Sequence, residues 1–385
     1  LVLVDRGLTL AQVGVVIAVY GITTAVLELP TGGLADTMGR RPVLLLSALL
    51  GMVFIALVLA LDGIVGLSVA AFVGGVSRAL GSGPLEAWFV DSTRAIDPDA
   101  KLERGLSLGG TLDGVALALG AIVGGFLPQL FGGRLAVSLV AALVFSGVYF
   151  GAVALLMTED RQASPGRLRI AFARIPQVIR AGTALTVRHR YLRRLMLGYV
   201  AIGVGVSAIE VLWQPRFATL LVDAADKTGF FGILLAVACG ASALGALSAP
   251  RFRRRFRGRI SPALSAAQGL MGMALLALAV SGTLIAASAA FVVAFLFSGL
   301  ISPYLQELLH EHVSADSRTT MVSVSSLSMQ SGGFVSALTL PAMAAAYGIP
   351  VAWVVGGSIL GLAALLYVGI PDRATAGVVL RESVA

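Results

Sequence analysis

Four ionisable side chains stand inside long apolar runs of this 385-residue chain: Glu28, Arg78, Asp113 and Glu210. A charge in such a setting is costly, and its default reading is functional. Two carboxylates around one guanidinium can hold a mobile proton, because Arg78 neutralises only one of Glu28 and Asp113. The same three residues could instead form a static pair that locks a bundle, or not meet at all. At about 1.5 Å per residue, Glu28, Arg78 and Asp113 lie roughly 10, 15 and 12 Å from the basic ends of their runs. That common depth is what makes a cluster an expectation.

Glu210 lies deeper, roughly 23 Å from the basic end of its run at the same rise, and precedes Trp213-Gln214-Pro215-Arg216. Two readings stand. With Trp213 and Gln214 it forms a cavity site, where an aromatic face meets a cationic cargo or the acid takes a proton. Alternatively it pairs with Arg216 at the outer mouth. The remaining candidates for chemistry are few. Cys239 is the single cysteine and lies in an apolar run, which excludes a disulfide framework and a cysteine metal site. His310 and His312 flank Glu311 and read as a solvated loop. We expect no metal and no cofactor. No nucleophile with a base, and no acid cluster at a membrane surface, points to an enzyme.

The elements that position these residues follow from composition. The chain is 57% hydrophobic and 12% charged, against about 25% charged residues in soluble domains. Its apolar runs are long enough to cross a hydrocarbon core of about 30 Å, and the backbone inside such a core must satisfy itself as helix. The spans read as 10–33, 42–61, 64–88, 105–128, 132–157, 195–220, 229–249, 261–281, 283–308, 320–346 and 350–370. The 46 glycines suit helices that approach closely. The Leu-Val-Leu-Val start looks like the outer end of one further helix, mostly missing from this sequence. Apolar stripes elsewhere face lipid or pack.

A net charge of +8 suggests nucleic acid at first, but its distribution speaks for topology and against that partner. Segments 36–41, 91–104, 158–194, 250–260, 309–319 and the tail hold 23 of the 28 Lys and Arg. Basic loops face the cytoplasm, which puts the C-terminus there. The longest break, 158–194, carries nine arginines and reads as a solvated linker on anionic headgroups. It divides the chain into 1–157, a first bundle with a helix remnant, and 195–370, a second bundle, followed by a tail over 371–385.

The connection between the first two spans carries the most specific pattern: Gly33-Leu34-Ala35-Asp36-Thr37-Met38-Gly39-Arg40-Arg41, after Glu28-Leu29-Pro30-Thr31-Gly32. It resembles the helix 2–3 loop signature of the major facilitator superfamily. Thr37 departs from it, since the family often has a basic residue there. Arg78 falls where that family has an arginine linked to proton transfer, without the glutamine that often follows. Gly120-Ala121-Ile122-Val123-Gly124-Gly125 resembles the antiporter signature of exporters, with Ala121 in place of proline. A plain glycine packing face is an equal reading of Gly120, Gly124 and Gly125.

Two further patterns look like a parallel internal repeat. Pro84-Leu85-Glu86 with Asp91-Ser92-Thr93-Arg94 is similar to Pro303 to Glu307 with Asp316-Ser317-Arg318. The glycine-arginine loop has a decayed counterpart at Arg251 to Arg259.

The resemblance implies an all-α integral membrane protein of two six-helix bundles related by a pseudo-two-fold, with about 11 complete transmembrane helices present. It implies that Gly33, Asp36, Gly39, Arg40 and Arg41 latch the halves in one state. The expected function is secondary transport: a proton-driven antiporter in a bacterial plasma membrane, a monomer with protons, a small amphipathic molecule and the lipid bilayer as its partners. Proton symport of a sugar or another small metabolite is the alternative. A non-transporting sensor on the same scaffold is the reading from another class.

Overall fold

The structure is a computed structural model. It describes residues 2–97, 102–159, 180, 183–221, 227–313 and 318–372. Of residues 29–33, 36, 37, 103, 104, 227 and 319 only the backbone is described.

Apolar sequence that must satisfy its own backbone has become helix throughout. The chain separates into two compact units, Leu1–Gln177 with Ala225–Ile233, and Val178–Ala224 with Leu234–Ala385. The first unit holds α1 (Val2–Asp5), α2 (Leu10–Met38), α3 (Arg40–Ala60), α4 (Gly63–Gly81), α5 (Pro84–Ile96), α6 (Glu103–Leu130) and α7 (Ala136–Leu156). Thr9 starts α2 with a reciprocal cap. Its hydroxyl accepts from the Gln12 amide, and the Gln12 side chain accepts from the Thr9 amide.

Within this unit α4 packs on α2 and α3, and α3 packs on α7. Ser47 and Ser77 exchange bonds across α3 and α4, each hydroxyl donating 2.8 Å to the other's carbonyl. Inside a membrane such bonds are worth about 0.6 kcal/mol on average, so the exchange sets the register of the pair more than its stability.

The later elements are α8 (Arg190–Leu220), α9 (Lys227–Arg254), α10 (Ile260–Val280), α11 (Leu284–Glu311), α12 (Arg318–Tyr347) and α13 (Ile349–Ala363), closed by a 3₁₀ turn over Ala364–Tyr367. In the second unit α10 packs on α11 and on α13, and α8 on α12 and α13. Buried polar side chains bind these helices together. Trp353 Nε1 donates to Ala208 O at 2.9 Å, Tyr367 Oη to Gln268 Oε1 at 2.7 Å, and Gln268 Nε2 to Leu360 O at 3.1 Å.

Among the described residues ten helices are long and apolar enough to cross a membrane. The expected span over 320–346, tenth in chain order, is α12, a helix of 30 residues, and brings the count to eleven. Serine lowers its hydropathy, but the hydroxyls are spent internally. Ser325, Ser328 and Thr339 donate to the carbonyls of Val322, Val324 and Val335, and Ser336 donates to Val204 O of α8.

Four sequence expectations change. The single span 64–88 is two helices, broken at Ser82-Gly83. Gly83 has φ +90°, a left-handed setting that glycine adopts without strain, and Pro84 starts the next helix. The first helix of the second bundle begins at Arg190 rather than 195. His310 and Glu311 belong to α11. His312 is not solvated: it is buried, its Nδ1 sits 2.9 Å from Leu308 O, and its ring meets Tyr191 edge-on. The basic linker residues 160–179, and Asp316 and Ser317 of the repeat, lie outside the described residues.

Candidate functional site

Gly39 alone separates α2 from α3. Its φ of +93° turns the chain in one residue, and Arg40 and Arg41 open the next helix. A helix start leaves amide donors unsatisfied, and here a distant carboxylate takes two of them. Glu159 Oε1 accepts from Arg40 N and Oε2 from Arg41 N, both at 2.9 Å. The side chains turn the other way. The buried Arg40 guanidinium pairs with Asp91 at 2.7 Å and donates to Ala87 O, and Arg41 donates to Ala154 O at 2.5 Å. Trp88 Nε1 adds a bond to Thr158 O. The arginine pair thus ties α3, α5 and the end of α7 together. Asp36 sits in the last turn of α2. Of Asp36 and Gly33 only the backbone is described.

The second unit carries the same device. Asp372, just past its last helix, accepts from Ile260 N and Ser261 N at the start of α10, both at 3.0 Å. Arg253 at the end of α9 makes a forked pair with Glu307 of α11 at 2.8 and 3.1 Å. Sequence reading missed Glu159 and Asp372. The available signal was an acid within three residues of the end of the last span in each half.

Each deep charge has its own neighbours. Glu28 Oε1 accepts from Ser82 Oγ at 3.1 Å, at the break between α4 and α5. Arg78, one turn before that break, is exposed and near enough to Tyr20 to act on it electrostatically. Asp113 is exposed midway along α6, a helix that the unit leaves largely uncovered. Among the described residues no ion pair joins Arg78 to Glu28 or Asp113.

The three glycines of α6, Gly120, Gly124 and Gly125, differ sharply. A Cβ at Gly120 or Gly124 would meet open space. At Gly125 it would lie 2.6 Å from Thr228 O, and at Gly232 it would run into Ala121 O, so these two glycines permit a reciprocal close crossing of α6 with the first turns of α9.

Glu210 lines a pocket in the second unit with Met271, Phe295 and Ser298. Trp213 does not line it: it is buried against Phe291 and Phe217, with ring centroids 5.1 and 6.3 Å away. Gln214 is half-buried and also outside that lining. Arg216 donates to Ser281 O at 2.8 Å, and no ion pair to Glu210 is present among the described residues. Among the described residues, no group of three or more His, Cys, Asp or Glu is placed to hold a metal ion.

The fold has counterparts among known proteins. The profile described as Major Facilitator Superfamily matches residues 1–337, and the chain belongs to that family. It is a multi-pass membrane transporter and not an enzyme. Among solved structures, the nucleoside transporter NupG is similar at a TM-score of 0.75 and 11% identity, covering 94% of this chain and 91% of that one. A point mutant of NupG matches at 0.73 and 12%, covering 94% and 92%. At that identity the likeness shows the fold. No curated protein matches the sequence.

Proposed function

We propose that this transporter exports a small amphipathic molecule in exchange for protons, by alternating access, as a monomer in a bacterial plasma membrane with its C-terminus in the cytoplasm. The observation that supports this reading most is Asp113. A carboxylate in mid-helix costs about 2.5–3.5 kcal/mol in a membrane. No described side chain neutralises it. A group retained on those terms suits reversible protonation, with Arg78 and Glu28 as further members of the proton path. Export is favoured by the α6 glycines Gly120, Gly124 and Gly125, the last of which makes the close crossing at Gly232. The loop residues Gly33, Asp36, Gly39, Arg40 and Arg41 act in this reading as a conformational latch and do not choose the cargo.

The second reading is proton symport of a sugar-like or other neutral metabolite. It draws on the likeness to a nucleoside transporter. Proteoliposomes loaded with a pH dye separate the two. Addition of a lipophilic drug is expected to drive protons out of the lumen, and Asp113→Asn to abolish that flux with the protein still folded. Full proton-driven transport by Asp113→Asn would remove Asp113 from the mechanism. Protons that move with a nucleoside in the same direction would favour the second reading.

A further inference from the structure

The second unit contains a binding slot of its own. Val206, Ile209 and Glu210 of α8, Met271 of α10, and Ala294, Phe295 and Ser298 of α11 line a cavity of about 50 Å³. One ordered water needs about 10–15 Å³ on this measure, so the slot admits roughly three to five water-sized groups. That is room for the head of a molecule and not for a whole drug or sugar.

The chemistry of the lining is one-sided. Among the described residues that line it Glu210 is the single ionisable group, and its side chain is exposed. The cation closest along α8, Arg216, is held at Ser281 O. The rest of the wall is a hydroxyl at Ser298, a thioether at Met271, the Phe295 ring and small aliphatic side chains. An anion would meet Glu210 with no cation to offset it. A neutral polyol would find one hydroxyl and little else. An organic ammonium finds a countercharge for its N–H donors and an apolar, aromatic surround for its carbon. The ring belongs to an aromatic cluster, because Phe295 packs at a tilt on Phe291 with centroids 4.9 Å apart and Phe291 on Trp213 at 5.1 Å. The slot therefore does not depend on the cargo to set its shape.

We infer that this pocket is the head-group subsite for an organic ammonium cargo, with Glu210 as its countercharge and Phe295 as its aromatic wall. The inference rests on the transport reading above and names the substrate class within it.

Calorimetry on the full chain in nanodiscs tests it, with benzylammonium as the probe and benzyl alcohol as its neutral counterpart. Wild-type protein is expected to prefer benzylammonium at least tenfold. Loss of a charge-assisted hydrogen bond predicts that Glu210→Gln weakens benzylammonium by about tenfold to a hundredfold and leaves benzyl alcohol unchanged, with partial rescue by Glu210→Asp. Phe295→Leu is expected to cost about threefold to tenfold for the cation alone. Absence of a cation preference in wild type, or its persistence in Glu210→Gln, overturns the proposal. Where Glu210→Gln lacks a thermal transition, Phe295→Leu and Ser298→Ala decide, and unchanged cation affinity in both overturns it. Proton flux is read separately. Selective benzylammonium binding without transport leaves the subsite standing and removes the transport reading. Proton-coupled transport of neutral cargo without cation binding does the reverse.

Discussion

At the scale of single residues, the two units share one solution to an exposed helix start. Glu159 and Asp372 each place both carboxylate oxygens on two successive amides, of α3 and α10 respectively. A negative charge there offsets the positive end of the helix dipole, by about 0.3–1 kcal/mol in the open and up to about 2 kcal/mol when partly buried. Both carboxylates are half-buried, so about 1 kcal/mol each is expected. Glu159→Gln and Asp372→Asn should each lower the thermal midpoint in detergent by a few degrees, with the double variant close to the sum. Midpoints equal to wild type would mean that these bonds contribute nothing net. The arginines of this device were legible in the sequence because they are adjacent and follow a recognisable turn. Glu159 was not, because it reaches Arg40 across 119 residues and no local pattern encodes such a contact. Likewise Trp213 was legible as an aromatic near Glu210, but only packing reveals that it supports Phe291 while Phe295 of another helix faces the pocket.

Between elements, small residues decide how closely helices approach. The sequence marked Gly120, Gly124 and Gly125 alike, since composition alone gives a glycine no direction. The fold distinguishes them, leaving the first two open and pressing the third on backbone. Gly203 and Gly332 make a similar reciprocal crossing of α8 with α12, against the carbonyls of Met329 and Val200. A methyl group at such a crossing must push two helices apart, and overpacking of this kind costs about 1–3 kcal/mol. Gly125→Ala should therefore lower both stability and transport, whereas Gly120→Ala and Gly124→Ala should leave both near wild type. Equal transport by all three variants, measured in the same vesicles, would show that the α6 crossing is not used in the cycle. The helix positions were readable from hydropathy to within about five residues at each end. The break at Ser82-Gly83 was written in Gly83-Pro84 but hidden by the apolar residues on both sides, because hydropathy measures depth and is blind to backbone direction.

For the whole molecule, charge placement is the organising fact. In the first unit Arg40, Arg41, Asp91 and Glu159 meet at one end, and Arg6 closes the other by donating to Leu61 O and Leu59 O and pairing with Asp62. In the second, Arg253, Glu307 and Asp372 mark one end and Arg216 with Ser281 the other. The richly basic end of each unit is the one that the loop count assigns to the cytoplasm. Labelling of intact cells tests that assignment. In a Cys239→Ser background, Arg134→Cys and Gly282→Cys should react with an impermeant maleimide from outside, and Ala95→Cys and Arg255→Cys only after the membrane is opened. All four positions are exposed, so failure to react reports sidedness and not burial. The reverse pattern would invert both units together, and with them the direction of transport deduced from any vesicle experiment. A mixed pattern would break the link between basic loops and the cytoplasm on which the orientation rests.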